Sequence, residues 1–561
     1  MVIENILAAF NELASIQTFA LMALGTVAGL IAGAIPGFTI AMAIVLTLPF
    51  TFGMEPVQGL ATMIGVFVGG LSGGLMSGIL IGIPGTPSSV ATTFDGFPMA
   101  RKGDPGLALG LGVWSSFFGG IISAVFLVTI APQLASVGLE FQPWDYFALI
   151  MFALTIAASL AGEDLIKGLL AAGIGLLVAC IGEDSVNGVA RFNFGSDALK
   201  QGFSFLPVLI GLFAFSQLLS DIEDQVRAKK ALTETGSVNA RVEHRRAAIM
   251  VLKSWGNLVR SSCIGVFTGV LPAAGSSISN ILAYDQAKKA SKEPEKFGTG
   301  HPDGIIAPEA ANNATAGGAL ITMMALGIPG DIVTAVMLGA LLIHDVIPSP
   351  SFINEAPVLA YGIFIAFFIA NFMMLVLQSG ALRLFVLVTK VRMYFLASII
   401  LAYCGIGIFA LNNVAFDMWT LFWFGIVGYV MRKLGFPLAP MILGVVLGQI
   451  AELWLSRAVA ITTDISPFFT HPWSLFFIIM ASFSLFFPAY QSHRGRKKWT
   501  IFFTPFLIAS LAGPMFMMQG TVRPVVGALL LAFAAFSLFK LHRRGWKVNP
   551  EDAEAHRLSE G

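Results

Sequence analysis

Apolar runs long enough to cross about 30 Å of hydrocarbon recur along nearly the whole chain, separated by short polar stretches. From residue 101 onward the runs predict spans near 107–133, 145–161, 165–181, 203–219, 355–379, 392–411, 414–431, 436–455, 472–490, 500–518 and 521–539. No stretch shows the sustained apolar–polar alternation of a half-buried strand, and every run is long enough for a helix. The pattern predicts an all-α polytopic membrane protein with about 12–14 membrane segments.

Basic residues orient these spans, because Lys and Arg concentrate in cytoplasmic loops. They cluster at Arg101-Lys102, from Arg227 to Arg260, Lys288 to Lys296, Arg383 to Arg392, at Arg432-Lys433, from Arg494 to Lys498 and Lys540 to Lys547. Placing every cluster inside gives a consistent alternation from residue 101 onward. The polar stretches near 134–144, 184–200, 348–354, 412–413 and 456–471 then face outside. Residues 255–287 break the alternation: basic residues flank them on both sides, and Leu271-Pro272-Ala273-Ala274-Gly275 interrupts them. A segment that starts and ends on one face with a break in its middle reads as a helical hairpin.

The same device occurs near the start. Gly29 to Pro36 matches Gly265 to Pro272 in spacing, and Gly82-Ile83-Pro84-Gly85 matches Gly327-Ile328-Pro329-Gly330. The offsets are 236 residues (272 − 36) and 245 residues (329 − 84), and a Gly pair precedes each second break. Counting crossings puts the two copies on opposite faces, so the repeats are inverted, a pattern found in secondary transporters. The expected organisation is a first repeat over 1–220 (hairpin near 18–50, broken span near 57–100) and a cytoplasmic linker over 221–253. A second repeat follows over 254–455 (hairpin near 255–287, broken span near 301–347), then further helices over 456–548 and a tail over 549–561. The N terminus is expected outside and the C terminus in the cytoplasm.

The breaks concentrate the candidate chemistry. Proline removes a backbone donor and glycine admits irregular dihedrals, so a half-helix restarting after the break offers free N–H groups and a dipole that favour an anion. The candidates for substrate contact are Pro36, Gly37, Pro84, Gly85, Thr86, Ser88, Ser89, Ser276, Ser277, Asn280, Asn312, Asn313, Pro329, Gly330 and Asp331. Helix capping alone accounts equally well for Ser88, Ser89 and Asp331. Glu309, Asn312 and Asn313 share a helix face and point to cation coupling, with Thr315 and Asp95. They suit a Na⁺ near Asn312 and Asn313, or a proton on Glu309; at the cytoplasmic surface Glu309 would be an ordinary solvated carboxylate. His344-Asp345 reads as an interfacial anchor, and Glu163-Asp164 and Glu183-Asp184 as loop charges.

Composition narrows the class. The chain has 561 residues, 12% of them charged, and a mean hydropathy of +0.82. A soluble protein carries about a quarter charged residues. The net charge of +1 says nothing about partners, and no nucleic acid is expected. The first 100 residues hold no Lys or Arg, so no cleavable signal peptide is expected. No Gly-Lys pair exists, which excludes a Walker A loop. Cys180, Cys263 and Cys404 read as small buried thiols. His244, His301, His493, His542 and His556 lie in loops or the tail, and His344 and His471 at span ends, which argues against a His-based intramembrane enzyme. A passive anion channel is the other alternative.

Four blocks carry a resemblance: GAIPGFTIAMAIVLTLPF, GGLMSGILIGIPGTPSSVATTFDGFPMARKGDPG, GVLPAAGSSISNILAYDQAKK and FGTGHPDGIIAPEAANNATAGGALITMMALGIPGD. They resemble the large membrane subunit of the tripartite tricarboxylate transporter family, the TctA type, over roughly residues 15–460. The resemblance implies a bacterial inner-membrane system with a periplasmic solute-binding protein and a small four-helix membrane subunit. It implies uptake of small carboxylates such as citrate, no cofactor, and symport with Na⁺ or H⁺. The two-hairpin plan is similar to that of elevator-type transporters, and a homo-oligomer stays open. The helices beyond about residue 490 depart from the family pattern, and their basic tail would dock or partly replace the small subunit.

Overall fold

The computed structural model describes the chain except residues 1, 37, 52, 161–163, 185–187, 224–240, 273, 345, 347–348, 389–400, 403, 410–412, 495, 544 and 547–561. Gly37, Glu163, Asp345, much of the 221–253 linker and the 549–561 tail thus lie outside the described residues. Helix dominates, as a bilayer requires of a chain that must satisfy its own backbone polar groups. Among the described residues only Gly182–Glu183 and Ala190–Arg191 pair as strands, antiparallel. Nine helices there are long and apolar enough to span a membrane, and shorter apolar helices such as Ile40–Thr51 and Ile332–Leu342 accompany them.

The chain forms two compact units, one of residues 1–139 and 192–438, the other of 140–191 and 439–561. The second unit packs Pro143–Leu160 and Leu165–Ala179 with Leu438–Ile461 and the C-terminal helices Pro472–His493, Thr500–Met517 and Val522–Arg543. Within it Arg191 binds Glu452, His471 Nδ1 binds the buried Asp145 at 2.7 Å, and Arg523 holds Glu140 at 2.7 Å. The hydrogen bond from Arg523 lowers the pKa of the Glu140 carboxyl below its usual range.

The first unit holds the repeats. The hairpins are Ile16–Ala34 with Ile40–Thr51 and Trp255–Val270 with Gly275–Ala290. Each is followed by a broken span. Pro56–Ile81 ends on Gly82 (φ 74°) and restarts, after a 3₁₀ turn at Pro87–Ser89, as Val90–Arg101. Asp303–Leu326 ends on Gly327 (φ 70°) and restarts as Ile332–Ile343. Both breaks therefore open on a left-handed glycine, the conformation that stops a helix at least steric cost. A long helix follows each broken span, Pro105–Gly138 and Pro357–Val388. At 34 residues, about 50 Å, the first must tilt or protrude from the bilayer.

The repeats are inverted. The first broken span ends where the second begins, with Lys102 Nζ donating to the carbonyl of Thr299 at 2.6 Å. The second ends beside the start of the first, where a Cβ on Gly59 would lie 3.4 Å from His344 Nε2. The second arm of each hairpin also packs on the restarted half-helix of the other repeat: 275–290 on 87–101, and 40–51 on 332–343. Such a reciprocal exchange is the signature of two-fold pairing.

Within each repeat the hairpin and broken span meet backbone to backbone. A Cβ on Gly29 would stand 2.2 Å from the carbonyl oxygen of Val66, and one on Gly265 2.3 Å from that of Ala311. The seams end identically: a Cβ on Gly85 would stand 2.1 Å from the Gly33 carbonyl oxygen, and one on Gly330 2.2 Å from that of Gly269. The structural correspondence thus extends to single atoms.

Three sequence expectations need amendment. The run near 203–219 includes a π-helical stretch, Gly211–Phe215, between Phe205–Ile210 and Ser216–Glu223. The predicted spans omit the helix Val2–Leu13, which packs against 357–388. Of the three cysteines only Cys404 is buried; Cys180 is partly exposed and Cys263 exposed.

Gly85→Ala and Gly330→Ala each overpack a backbone contact, and each should destabilise the purified protein by about 1–3 kcal/mol or more, read as a lower unfolding midpoint. Gly380→Ala, with nothing within 4 Å of its added Cβ, should leave the midpoint unchanged or raise it.

Candidate functional site

The two breaks match in backbone and differ in chemistry. At the first, neutral hydroxyls gather. Thr86 Oγ1 and Ser88 Oγ are 2.9 Å apart, Ser89 Oγ donates to the Thr86 carbonyl at 3.0 Å, and all three residues are buried. The restarting helix takes one cap from the other repeat: the Ala91 N–H donates to Asn280 Oδ1 at 2.8 Å. At the second break Asp331 caps its own helix, accepting from the Thr334 N–H at 2.8 Å and from Thr334 Oγ1 at 2.7 Å.

The two half-helices expected to meet a substrate carboxylate thus differ in what they offer it. A helix start favours an anion through its N–H groups and dipole, and at Gly330-Asp331 the protein's own carboxylate already takes that place. The first break carries hydroxyls and an amide with no formal charge. It is also the more open one: Ile83 is 50% exposed, its counterpart Ile328 only 3%. Pro36, Pro84 and Pro329 mark the tip and breaks as expected, Pro36 and Pro329 buried and Pro84 half-buried. The cavity of about 640 Å³ bounded by Glu12, Glu55 and Glu355 lies at the opposite end of Pro56–Ile81 from the first break, and its carboxylates do not suit an anion.

The polar face of Asp303–Leu326 is buried from Glu309 to Thr322. Glu309, fully buried, accepts from Thr92 Oγ1 at 2.6 Å and Ser116 Oγ at 2.9 Å, so the solvated surface position is excluded. Asn312 Nδ2 donates to the Leu71 carbonyl at 2.9 Å, while its Oδ1 is buried with no partner. Asn280 Nδ2 is likewise buried and unpartnered. Leaving such a group unmatched costs about 1–3 kcal/mol, which a purely structural amide has no reason to bear. Asn313 Nδ2 reaches the Glu309 carbonyl at 3.5 Å, and Thr315 Oγ1 pairs with Ser279 Oγ at 2.8 Å.

Three predicted site residues stand apart. Ser277 is exposed, and Ser276, half-buried, takes part only through its carbonyl, which accepts from Ser279 Oγ at 3.0 Å; the arm turns Ser279 and Asn280 inward instead. Asp95, expected in cation coupling, is buried in a ring of donors. The N–H groups of Gly298, Gly300 and His301 lie 2.7–2.9 Å from Oδ1, and the Tyr284 hydroxyl 2.9 Å from Oδ2. These four donors tie Asp95 of the first repeat to residues of the second.

Sequence reasoning did not single out Ser116 or Tyr284. Ser115-Ser116 inside the apolar run of 105–138 was the available signal for the first, since polar groups at membrane depth are costly. Tyr284 carries no such signal, because its role depends on the fold bringing Asp95 beside it.

Residues 19–443 match the model of the family described as the tripartite tricarboxylate transporter TctA family. The chain is 33% identical over 450 residues, 80% of its length and 88% of the relative's, to an uncharacterized 52.8 kDa protein in the TAR-I ttuC' 3' region of Agrobacterium vitis. It is 35% identical over 209 residues, 37% of its length and 86% of the relative's, to an uncharacterized protein in the TAR-II ttuC' 3' region of the same organism. No solved structure matches.

Asp95→Ala orphans buried donors at about 1–3 kcal/mol each and should cost at least about 3 kcal/mol in unfolding of the purified protein. Thr93→Ala, whose hydroxyl bonds only within its own helix, should stay within about 0.5 kcal/mol.

Proposed function

The chain belongs to the tripartite tricarboxylate transporter TctA family, a multi-pass membrane transporter component, and on that premise we propose that it is the translocating subunit of a secondary importer of small carboxylates. The observation that carries the reading is the pairing of inverted broken helices in which one restarted half-helix presents neutral hydroxyls and the other an acid. A substrate carboxylate would meet Gly85, Thr86, Ser88 and Ser89, with Asn280, Asn312 and Asn313 alongside. A cation gradient supplies the driving force, and the seam-bound hairpins move with their broken spans as one body in an elevator-like step.

Family membership supports a periplasmic solute-binding protein and a small four-helix subunit as partners. The setting is a bacterial inner membrane, with the N terminus outside and the C terminus in the cytoplasm. The family match ends at residue 443, and the three C-terminal helices beyond it bury only 17%, 22% and 11% of their apolar windows. We read this uncovered surface as docking for the small subunit. A chain truncated at residue 490 should then co-purify less of that subunit than the full chain, and equal amounts would count against the docking.

The transport reading is tested in proteoliposomes holding the chain and its small subunit, with the binding protein outside. Ser88→Ala and Asn313→Ala should lower uptake of labelled citrate at subsaturating concentration roughly tenfold, about 1.4 kcal/mol, with expression intact. Unchanged uptake in both removes the site assignment. Flux without a gradient or binding protein would make the protein a passive channel.

A further inference from the structure

We propose that Glu309 is the proton-binding group of this transporter, a carboxyl that Thr92 and Ser116 hold equally well with and without its proton. The inference rests on the gradient-driven reading above and names the ion.

The argument starts from two buried carboxylates in unlike surroundings. Asp95 is met by three backbone N–H groups, donors that cannot turn away, and by the Tyr284 hydroxyl. Glu309 is met most closely by hydroxyls, Thr92 Oγ1 at 2.6 Å and Ser116 Oγ at 2.9 Å, with the Asn312 side chain a further, weaker donor. A hydroxyl both donates and accepts, and in a helix it can turn its hydrogen to the carbonyl one turn back. Ionised Glu309 accepts from both; protonated Glu309 donates to one while that hydroxyl turns to its own helix. The carboxylate plus one proton from water gives the carboxylic acid, and no other bond changes.

Among the described residues no opposite charge fixes Glu309 in one state. The charged and titratable groups of the elements packed on Asp303–Leu326 are engaged elsewhere or stand apart. Asp95 binds Tyr284, Asp303 binds Ser254 and Asn257, Arg260 binds Asn257, Lys289 binds Asp285, Asp331 binds Thr334, and Arg101 lies over Phe97. Lys288 lies in the last turn of its helix, Cys263 is exposed, and Glu355 borders the distant cavity. Glu309 forms an ion pair with none of them.

Position supplies the coupling. Thr92 lies one helical turn beyond Ser88 and Ser89, so Glu309 reaches the same half-helix that a substrate anion would meet. An ionised Glu309 repels that anion through a low-dielectric interior, and a proton removes the repulsion. Proton and anion therefore favour each other's binding, the condition for symport.

Infrared difference spectroscopy of the full chain in lipid, stepped in pH, tests the assignment without transport. The wild type should show a carboxyl C=O signal that appears on acidification. Glu309→Gln, which offers one acceptor and one donor like the protonated acid, should fold and lose the signal. Glu309→Asp should keep a displaced one, so a Gln variant that failed to fold would still leave the assignment checkable. A signal unchanged in Glu309→Gln, or one that answers to Na⁺ at fixed pH, overturns the proposal. In the proteoliposomes an inward proton gradient should drive citrate accumulation at least tenfold above that of Glu309→Gln. Equal accumulation, or accumulation by Na⁺ with the pH gradient collapsed, also overturns it. A wild type that takes up nothing under any gradient sinks the transporter reading, while the infrared result still decides whether Glu309 binds a proton.

Discussion

The contact on which the rest depends is a helix lying on another helix with nothing but hydrogen between their backbones. In a bilayer no hydrophobic gain drives helix to helix, so close van der Waals approach must do it, and glycine allows the closest. In both repeats the hairpin lies along its broken span in this way, and the seam ends with a tip carbonyl set against the glycine that follows the break proline. That last contact helps hold the irregular backbone in place. Non-helical chain survives at membrane depth only when protein encloses it, and here the enclosing group is the neighbouring backbone itself.

Duplication without identity follows from the same arrangement. The seam constrains glycines and prolines and leaves most other positions free to diverge. Divergence has put Glu309, Asn312, Asn313 and Thr315 on the first half of one broken span, while the corresponding half of the other, Pro56–Ile81, carries no charged residue. It has put an acid at one restart and hydroxyls at the other. A symmetric frame thus carries an asymmetric interior.

Much of the frame was legible in the sequence because its causes are local. Gly-Pro breaks, apolar runs and basic clusters each act within a few residues, and they marked the hairpins, the broken spans and their inversion. The employment of the polar side chains was not local. Asp95 looks like any acid near a helix end until the fold brings the 298–301 backbone around it. Ser277 is as polar as Ser279, and only the rotation of the arm separates them. Asp331 could be recognised as a cap, yet that this cap takes the anion's place at one break alone becomes visible when both are compared.

The hydrogen bond from Ala91 to Asn280 bears on how such a chain is made. Its two residues are 189 positions apart, so the first half-helix emerges from the ribosome long before its cap exists. Domains assemble in order of synthesis, N-terminal parts first. The first repeat must wait in the membrane with a helix start still open, its hydroxyls meeting water or lipid headgroups, until the second hairpin arrives. The finished break is thus a product of assembly, its first half-helix capped by Asn280 only once the second repeat is in place.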